Sequence, residues 1–344
     1  MEKRVIIIGG GVAGMSAAIT LKKLGCDPLL IERSSVLGGV LNNFSKTLSG
    51  NRDTEHIIED FSNEITKNDV TVVLCTEVID IKKKESSKIE VICSCGSKYE
   101  GDALVIATGM EWHSPHDATE FGFGVVNNVL TLSEIEERLR DGEVFTVNQQ
   151  EVKDVAIVHC VCSQNVKYGA KFCSKMCCTA ALKVATELKQ LLGVNSNVYE
   201  FYTDLKVVGC EGNELLDRAK SVGVELIRGG VSEIKPLKDK IELWAEDMVL
   251  QKNLRLSVDM VVLVMGVKGH KKNIKFGESL GLKTNNYAYF VKSEGEINSV
   301  KTAHKNIFTI GCSNSPKDIE ESIHDGESAA VAIFGYFNDR RIKK

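Results

Sequence analysis

Five of the eleven cysteines in this 344-residue chain lie between Cys160 and Cys178. Twelve residues separate Cys160 from Cys173, three separate Cys173 from Cys177, and Cys178 follows directly; Cys162 stands outside that spacing. Deprotonated thiols are soft anionic donors, so several converging on one volume suit zinc or an iron–sulfur cluster. The pattern predicts such convergence. A buried strand over 154–158 delivers Cys160. A helix is expected from Lys171 onward, with Met176, Ala180, Ala181, Val184, Ala185, Leu188 and Leu191 on its apolar side. On that helix Cys173 and Cys177 share a face, Cys178 sits at its edge, and the helix start favours negative charge. Structural zinc sites usually pair two knuckles of two cysteines with two to four residues between them, of which this region has one, Cys173 to Cys177, and the Cys-x-x-Cys of a redox dithiol is absent. Isolated buried cysteines are commonly inert, but five within nineteen residues are not isolated. The spacing favours an iron–sulfur cluster and leaves zinc and redox thiols open.

The same segment is informative for what it lacks. It reads His159-Cys160-Val161-Cys162-Ser163-Gln164-Asn165 after its strand, where a doubly wound domain that binds pyridine nucleotide carries Gly-x-Gly-x-x-Gly. Thiols replace a phosphate cradle.

The start of the chain does carry that cradle. A strand over 5–8 runs into Gly9-Gly10-Gly11-Val12-Ala13-Gly14, then a helix through Met15, Ala18, Ile19 and Leu24, then a second strand ending at Glu32. Gly9 permits the tight turn, Gly11 admits a diphosphate to the backbone, and Gly14 lets helix and strand pack. Free N–H groups at the helix start favour phosphate. Glu32, 18 residues beyond Gly14, is suited to hold a ribose hydroxyl. Arg33 follows the acid, and a second glycine pair, Gly38-Gly39, comes soon after. Later, the apolar strand 102–106 turns at Ala107-Thr108-Gly109. These motifs resemble flavoproteins of the glutathione-reductase type, which implies FAD rather than NAD. The resemblance makes Gly9, Gly11, Ala13, Gly14, Glu32, Arg33, Gly38, Gly39, Val78, Ala107, Thr108 and Gly109 the candidate cofactor contacts. The stretch 306–312 resembles that family's last flavin-binding strand, with Gly311 in place. Cys312 stands where the family usually has an aspartate that contacts the ribityl chain.

Strands expected at 197–202 and 260–265 give the middle of the chain a second doubly wound unit. The expected fold class is α/β: a two-dinucleotide-binding, glutathione-reductase-like flavoprotein with two doubly wound Rossmann-like domains. Residues 1–114 and 275–344 would form a discontinuous FAD domain. Residues 115–274 would form a Rossmann-like domain whose nucleotide site has been exchanged for thiols. Attached to the first domain, a hairpin is expected to turn at Cys95-Gly96-Ser97, with Cys93 and Cys95 as packing residues on one face. Thr131 with Glu134 reads as a capping box. Apolar residues make up 43%, charged residues 26%, and net charge is −4, so nucleic acid and anionic membrane are poor partners. The runs 5–8 and 260–265 are too short for a secretory signal or a membrane span. A soluble, cytoplasmic protein without membrane insertion is expected.

The segments 159–163 and Phe172-Cys173-Ser174-Lys175-Met176-Cys177-Cys178 resemble the A-type subunits of heterodisulfide reductases. The likeness runs through nearly the whole chain, including 121–124, 202–205 and 315–322. It implies a [4Fe–4S] cluster on Cys160, Cys173, Cys177 and Cys178, held beside FAD. It implies that Lys183 hydrogen-bonds the flavin N5, where a cation stabilises reduced flavin; the alternative is a solvated helix lysine. It also implies that Lys317, Asp318 and Ile319 open a final helix through Ile323, Ala329 and Ala330, its N-terminus facing the flavin pyrimidine carbonyl. Cys162 departs from the family, which commonly has glycine there, and the ferredoxin-type cysteine runs of its long methanogen form are absent. In these respects the chain is more similar to the short A-like proteins of sulfur-oxidising heterodisulfide reductase-like complexes. The implied function is electron transfer within such a complex, together with other heterodisulfide reductase-like subunits and as a homodimer. An NAD(P)H-dependent flavin disulfide reductase and a zinc-stapled flavoprotein scaffold are its rivals.

Overall fold

The computed structural model describes residues 3–48, 52–143, 145–147, 150–165, 167, 171–292 and 300–339. Its α-helices are α1 (Val12–Lys23), α2 (Thr54–Lys67), α3 (Leu132–Arg140), α4 (Cys177–Leu192), α5 (Gly209–Val222), α6 (Lys272–Leu280) and α7 (Ile319–Asn338). The chain divides into two units: Met1–Asn42, Thr54–Glu111 and Lys268–Lys344 form one, Asn43–Asp53 and Trp112–Val267 the other. The cuts thus fall at 111 and 268, against 114 and 275 from the sequence, and the 43–53 segment joins the second unit. No helix among the described residues is long and apolar enough to cross a membrane.

The first unit is built on a parallel sheet in the spatial order Ile307–Thr309, Ala103–Ile106, Arg4–Ile8, Asp27–Ile31, Thr71–Val73. Its strands are short unbroken apolar runs because both faces are covered. Val5, Ile6, Ile7, Leu104, Val105 and Ile106 are all fully buried. On one face α1 is buried almost all round, with Met15, Ala17, Ala18 and Leu21 in the core beside Ala329, Ala330 and Ile333 of α7. Small residues let the two helices touch at the backbone. A Cβ on Gly326 would fall 2.5 Å from the Ala13 carbonyl oxygen and 2.9 Å from the Ala17 nitrogen. The other face packs on Phe276 and Leu280 of α6 and on the antiparallel strands Val78–Lys83, Ile89–Cys93 and Lys98–Gly101. This is the expected hairpin, although only Cys93 packs in it; Cys95 is exposed.

The second unit has its own parallel sheet, ordered Val224–Arg228, Asn197–Tyr202, Asp154–Val161, Met260–Met265, Val129–Thr131. Helices α3, α4 and α5 contribute to the core on one face. An antiparallel sheet of Val231–Pro236, Ile241–Asp247 and Lys252–Val258, unforeseen from the sequence, covers the other through Ile234, Leu243 and Val258. The α3 capping box is present: the Glu134 amide donates to Thr131 Oγ1 at 3.3 Å and the Thr131 amide to Glu134 Oε2 at 2.7 Å. One expectation needs correction. The helix placed from Lys171 starts at Cys177 instead, because Lys175 adopts φ +65°, which an α-helix does not accommodate. Cys173 therefore lies in the loop before α4 and shares no helix face with Cys177.

Thr131→Ala removes the side-chain half of the α3 cap and should lower the unfolding free energy by about 1 kcal/mol. The measurement is the urea midpoint at constant slope; an unshifted midpoint rejects a stabilising role for this cap.

Candidate flavin site and thiol cluster

In the first unit the strand order reverses beside Arg4–Ile8, and this is where open α/β sheets bind ligands. Gly9 ends that strand at φ +108°, its amide donating to the Ile31 carbonyl at 2.9 Å. A Cβ on Gly9 would lie 2.3 Å from the Ala107 oxygen, and one on Gly14 would lie 2.0 Å from the Gly9 oxygen. Gly11 differs: the nearest atom to its missing Cβ is Gly39 Cα, 4.0 Å away. Gly11 is also the N-cap of α1, which has no side-chain cap and no acidic residue in its first turn. Open space therefore adjoins helix-start amides, an arrangement that fits a diphosphate. Glu32 is buried and held at both oxygens, accepting from the Gly10 amide at 2.6 Å and the Ser34 amide at 2.8 Å. Each oxygen keeps a further lone pair for a ribose hydroxyl. Gly38 bridges Gly11 and donates to the Gly10 carbonyl at 2.9 Å.

The outlying candidates are also placed. Thr108 Oγ1 donates to Asn273 Oδ1 at 2.5 Å, and Asn273, fully buried, donates in turn to the Ala288 carbonyl at 2.9 Å. Nothing in the sequence around Asn273 marks it as a polar core residue. Exposed Arg33 meets His270, Nη1 to Nε2, at 2.9 Å. The Val78 side chain packs in the core, while its carbonyl accepts from Lys272 Nζ at 2.9 Å. Cys312 Sγ donates to the Lys317 carbonyl at 3.3 Å, and burial pushes the thiol up to about 11, so it stays neutral at physiological pH. Asp318 is the N-cap of α7, accepting from the Glu321 amide at 2.8 Å. With Glu320 and Glu321 it sets carboxylates against the positive end of that helix dipole, where Ile319 is the first helical residue.

In the second unit the strand order reverses beside Asp154–Val161, and the thiols gather at that strand's C-terminal end. The register slips between Val158 and Val161, a bulge that holds His159 and Cys160. Cys160 (φ +58°), Cys162 (+58°), Gln164 (+51°) and Lys175 (+65°) are all left-handed. Each such non-glycine residue costs roughly 1–2 kcal/mol, and strain of this kind concentrates at functional sites. Burial pushes the Cys160 thiol up to about 11, helped by Cys178 and Cys173. Burial pushes Cys177 up to about 12 against a hydrogen bond from Ser174, with Cys178, Cys160 and Cys173 adding to the rise. Cys160, Cys173, Cys177 and Cys178 are thus near enough to feel one another's charge. Cys162 instead packs in the apolar layer with Val158, Phe201 and Met265.

The loops after neighbouring strands close around these thiols. Cys178 Sγ contacts the Asp204 carbonyl at 3.7 Å and Cys177 Sγ the Met265 carbonyl at 3.6 Å. The Lys175 amide donates to Cys173 Sγ at 3.3 Å, and Gln164 Nε2 to Cys160 Sγ at 3.9 Å. Among the described residues, no three His, Cys, Asp or Glu side chains form a set that holds a single metal ion. Thiols are the donors that an iron–sulfur cluster takes.

Two buried charge pairs complete the unit. His159 Nε2 lies 2.6 Å from Glu200 Oε1. Burial opposes charging the imidazole, but Glu200 and Cys178 outweigh it and raise His159 to about 9. Lys183, 1% exposed, is no solvated helix lysine: its ammonium lies 2.5 Å from Glu136 Oε1 and donates to the Lys46 carbonyl at 3.2 Å. Burial raises the Glu136 carboxyl, and Lys183 works against that rise. Sequence reasoning misses both Glu136 and Glu200. The available signal is an acid on an apolar helix face (Leu132, Ile135, Glu136, Leu139) and one inside an apolar strand.

Gly11→Ala should leave the fold intact, since its Cβ projects into free space, yet fill the cradle. Equilibrium dialysis should then show FAD retention falling at unchanged thermal stability, and undiminished retention would move the nucleotide elsewhere. A second test uses pH. Between the ordinary thiol value of 9.0 and about 11, folded Cys312 keeps its proton while the unfolded thiol loses it. Stability should therefore fall as pH rises through that window. Cys312→Ser should flatten this part of the urea-stability profile; an identical slope refutes the burial-driven shift.

Residues 3–170 match the family "Pyridine nucleotide-disulphide oxidoreductase". Among curated proteins, the chain is 23% identical to the A-type subunit of the ferredoxin/F420H2-dependent CoB-CoM heterodisulfide reductase of Methanosarcina acetivorans, over 96% of this chain and 53% of that one. It is 22% identical to the A-type subunit of the H2:CoB-CoM heterodisulfide,ferredoxin reductase of Methanothermobacter thermautotrophicus, over 96% and 63%. It is 26% identical to a protein of Archaeoglobus profundus described as like the heterodisulfide reductase A-type subunit, over 70% and 33%. The chain thus spans between half and two-thirds of the length of the first two relatives. Among solved structures, thioredoxin reductase of Lactococcus lactis superposes with a TM-score of 0.69 at 18% identity, covering 97% of this chain and 99% of that one. The enzyme of T. acidophilum gives 0.69 at 16%, with coverage of 97% and 99%. At such identities the likeness concerns fold alone, and the fold is the two-dinucleotide-binding flavoprotein expected. By sequence, over nearly its whole length, the chain is similar to the A-type subunits of heterodisulfide reductases.

Proposed function

We propose that this chain is a FAD- and [4Fe–4S]-containing electron-transfer subunit of a heterodisulfide reductase-like complex, with the cluster on Cys160, Cys173, Cys177 and Cys178. One observation carries the reading. At the position where the first unit has a glycine cradle open to phosphate, the second has mutually interacting, mostly half-buried thiols on and beside a strained loop. When bound, FAD supplies two-electron chemistry and the cluster one-electron chemistry. The chain's residues supply position and potential. Gly11 and the α1 amides take the diphosphate, Glu32 the ribose. The thiols must give up protons to hold iron, and His159, held by Glu200, lies directly before Cys160. Lys183 is assigned the flavin-facing cation by the resemblance; its burial beside Glu136 supports a role beyond solubility.

The relatives are named as subunits of heterodisulfide reductase complexes, which supports partner subunits for this chain. Participation in sulfur metabolism, homodimerisation and a cytoplasmic site of action belong to the same proposal. The absence of the second glycine motif weighs against an NAD(P)H-dependent disulfide reductase.

Metal and sulfide analysis of anaerobically purified protein, with visible spectra, tests the reading. Iron with acid-labile sulfide is expected in the native protein and largely lost in Cys173→Ala, while Cys162→Ala keeps both. Zinc in place of iron favours the scaffold, and reduction of the flavin by NAD(P)H without iron favours the disulfide reductase. Iron-free protein that still holds flavin rejects the cluster.

A further inference from the structure

Asp325, on α7, is a carboxylate that nothing above employs. Its side chain is 9% exposed, and Oδ2 accepts both from the Gly311 amide, at 2.9 Å, and from the Lys317 ammonium. Lys317 itself is only 13% exposed at its side chain. Two enclosed, opposite charges in direct contact are expensive to desolvate, and they persist where geometry and further hydrogen bonds offset that penalty.

The pair occupies a defined place. Gly311 is left-handed at φ +59°, and a Cβ there would fall 2.9 Å from the Ala13 Cβ. Gly326, the next residue after Asp325, approaches the Ala13 carbonyl and the Ala17 amide closely enough to exclude any side chain. Both neighbours of the carboxylate thus abut the first turn of α1, where the phosphate cradle lies. Ser313, just beyond, donates to the Ile106 carbonyl at 3.2 Å, which ties the same turn to the strand that ends in Ala107-Thr108-Gly109. The pair therefore sits on the edge of the sheet that carries the nucleotide loop. Cys312, between these groups, has a neutral thiol and adds no charge.

We infer that Asp325 and Lys317 are a charge-compensated positioning pair for the flavin cofactor, resting on the FAD reading above. Asp325 holds the Gly311 turn against α1 and cancels the Lys317 charge. The pair itself consequently adds nearly no net charge beside this turn. Removing either partner leaves the other uncompensated in a low-dielectric setting, where a single charge acts strongly on a reducible ring.

The test is a double-variant cycle read by spectroelectrochemical titration of the bound flavin. Asp325→Asn keeps an acceptor for the Gly311 amide and leaves Lys317 positive, so the flavin potential should rise. Lys317→Gln leaves Asp325 negative, so the potential should fall. The double variant should return close to the native value, because both charges are gone. Damage to packing alone would not produce opposite shifts that cancel, and the double variant and Lys317→Gln still report should Asp325→Asn fold poorly. Shifts of the same sign, or none, in variants that hold FAD overturn the inference. Native protein that holds no FAD instead overturns the flavin reading, and the inference falls with it.

Discussion

The Gly9 amide donates to Ile31, the Ala107 amide donates to Ile8, and the Ala107 carbonyl occupies the space a Gly9 side chain would need. These contacts lock three parallel strands together at one edge and force the chain out of the sheet at Gly9. Much of the first unit follows from that constraint. The α1 helix has to begin at once, so its first amides point along the sheet edge with no side chain to receive them. Gly14 must lack a Cβ because the Gly9 carbonyl is in the way. Glu32 is delivered to the same edge by the adjacent strand and is steered there by backbone amides. A phosphate-binding edge is the by-product of fitting a helix directly onto a parallel strand.

The second unit meets the same topological situation differently. Its central strand Asp154–Val161 also ends at the reversal of strand order, but it leaves through a bulge and left-handed cysteines rather than glycines. A glycine loop exposes backbone donors to an anion. A loop of cysteines exposes sulfur, and so selects a soft cation instead. Burial raises the Cys160 and Cys177 thiols, while Glu200 and Cys178 overcome burial to favour the charged form of His159 at the bulge. Both units place a central strand at a reversal of strand order, and they differ in the backbone and the side chains of the loop that follows it.

How much of this is legible in the sequence depends on how local the cause is. Gly9, Gly11, Gly14 and Glu32 can be read because steric demands within one strand-turn-helix unit fix them. The cysteine spacing can be read for the same reason, but the start of α4 cannot. Helical periodicity extends back to Lys171, whereas the left-handed Lys175 is set by packing of the loop. The buried ion pairs are least visible. Glu136 lies 47 positions from Lys183 and Glu200 lies 41 from His159, so only tertiary folding joins them. The antiparallel sheet from Val231 to Val258 escapes a local reading because its strands alternate on a surface whose partner is a distant parallel sheet.

The backbone contact between α1 and α7 bears on synthesis. Residues near the start of the chain share one core with Phe308, Ile310, Ala329 and Ile333 near its end. Until α7 has left the ribosome, the apolar flank of α1 has nothing to cover it. The second unit, encoded almost entirely in one continuous stretch, has no such wait. Order of completion is thereby built into the chain: the thiol-bearing unit closes first and the nucleotide-bearing unit last. During the interval, nascent protein displays a greasy helix that invites chaperones or aggregation.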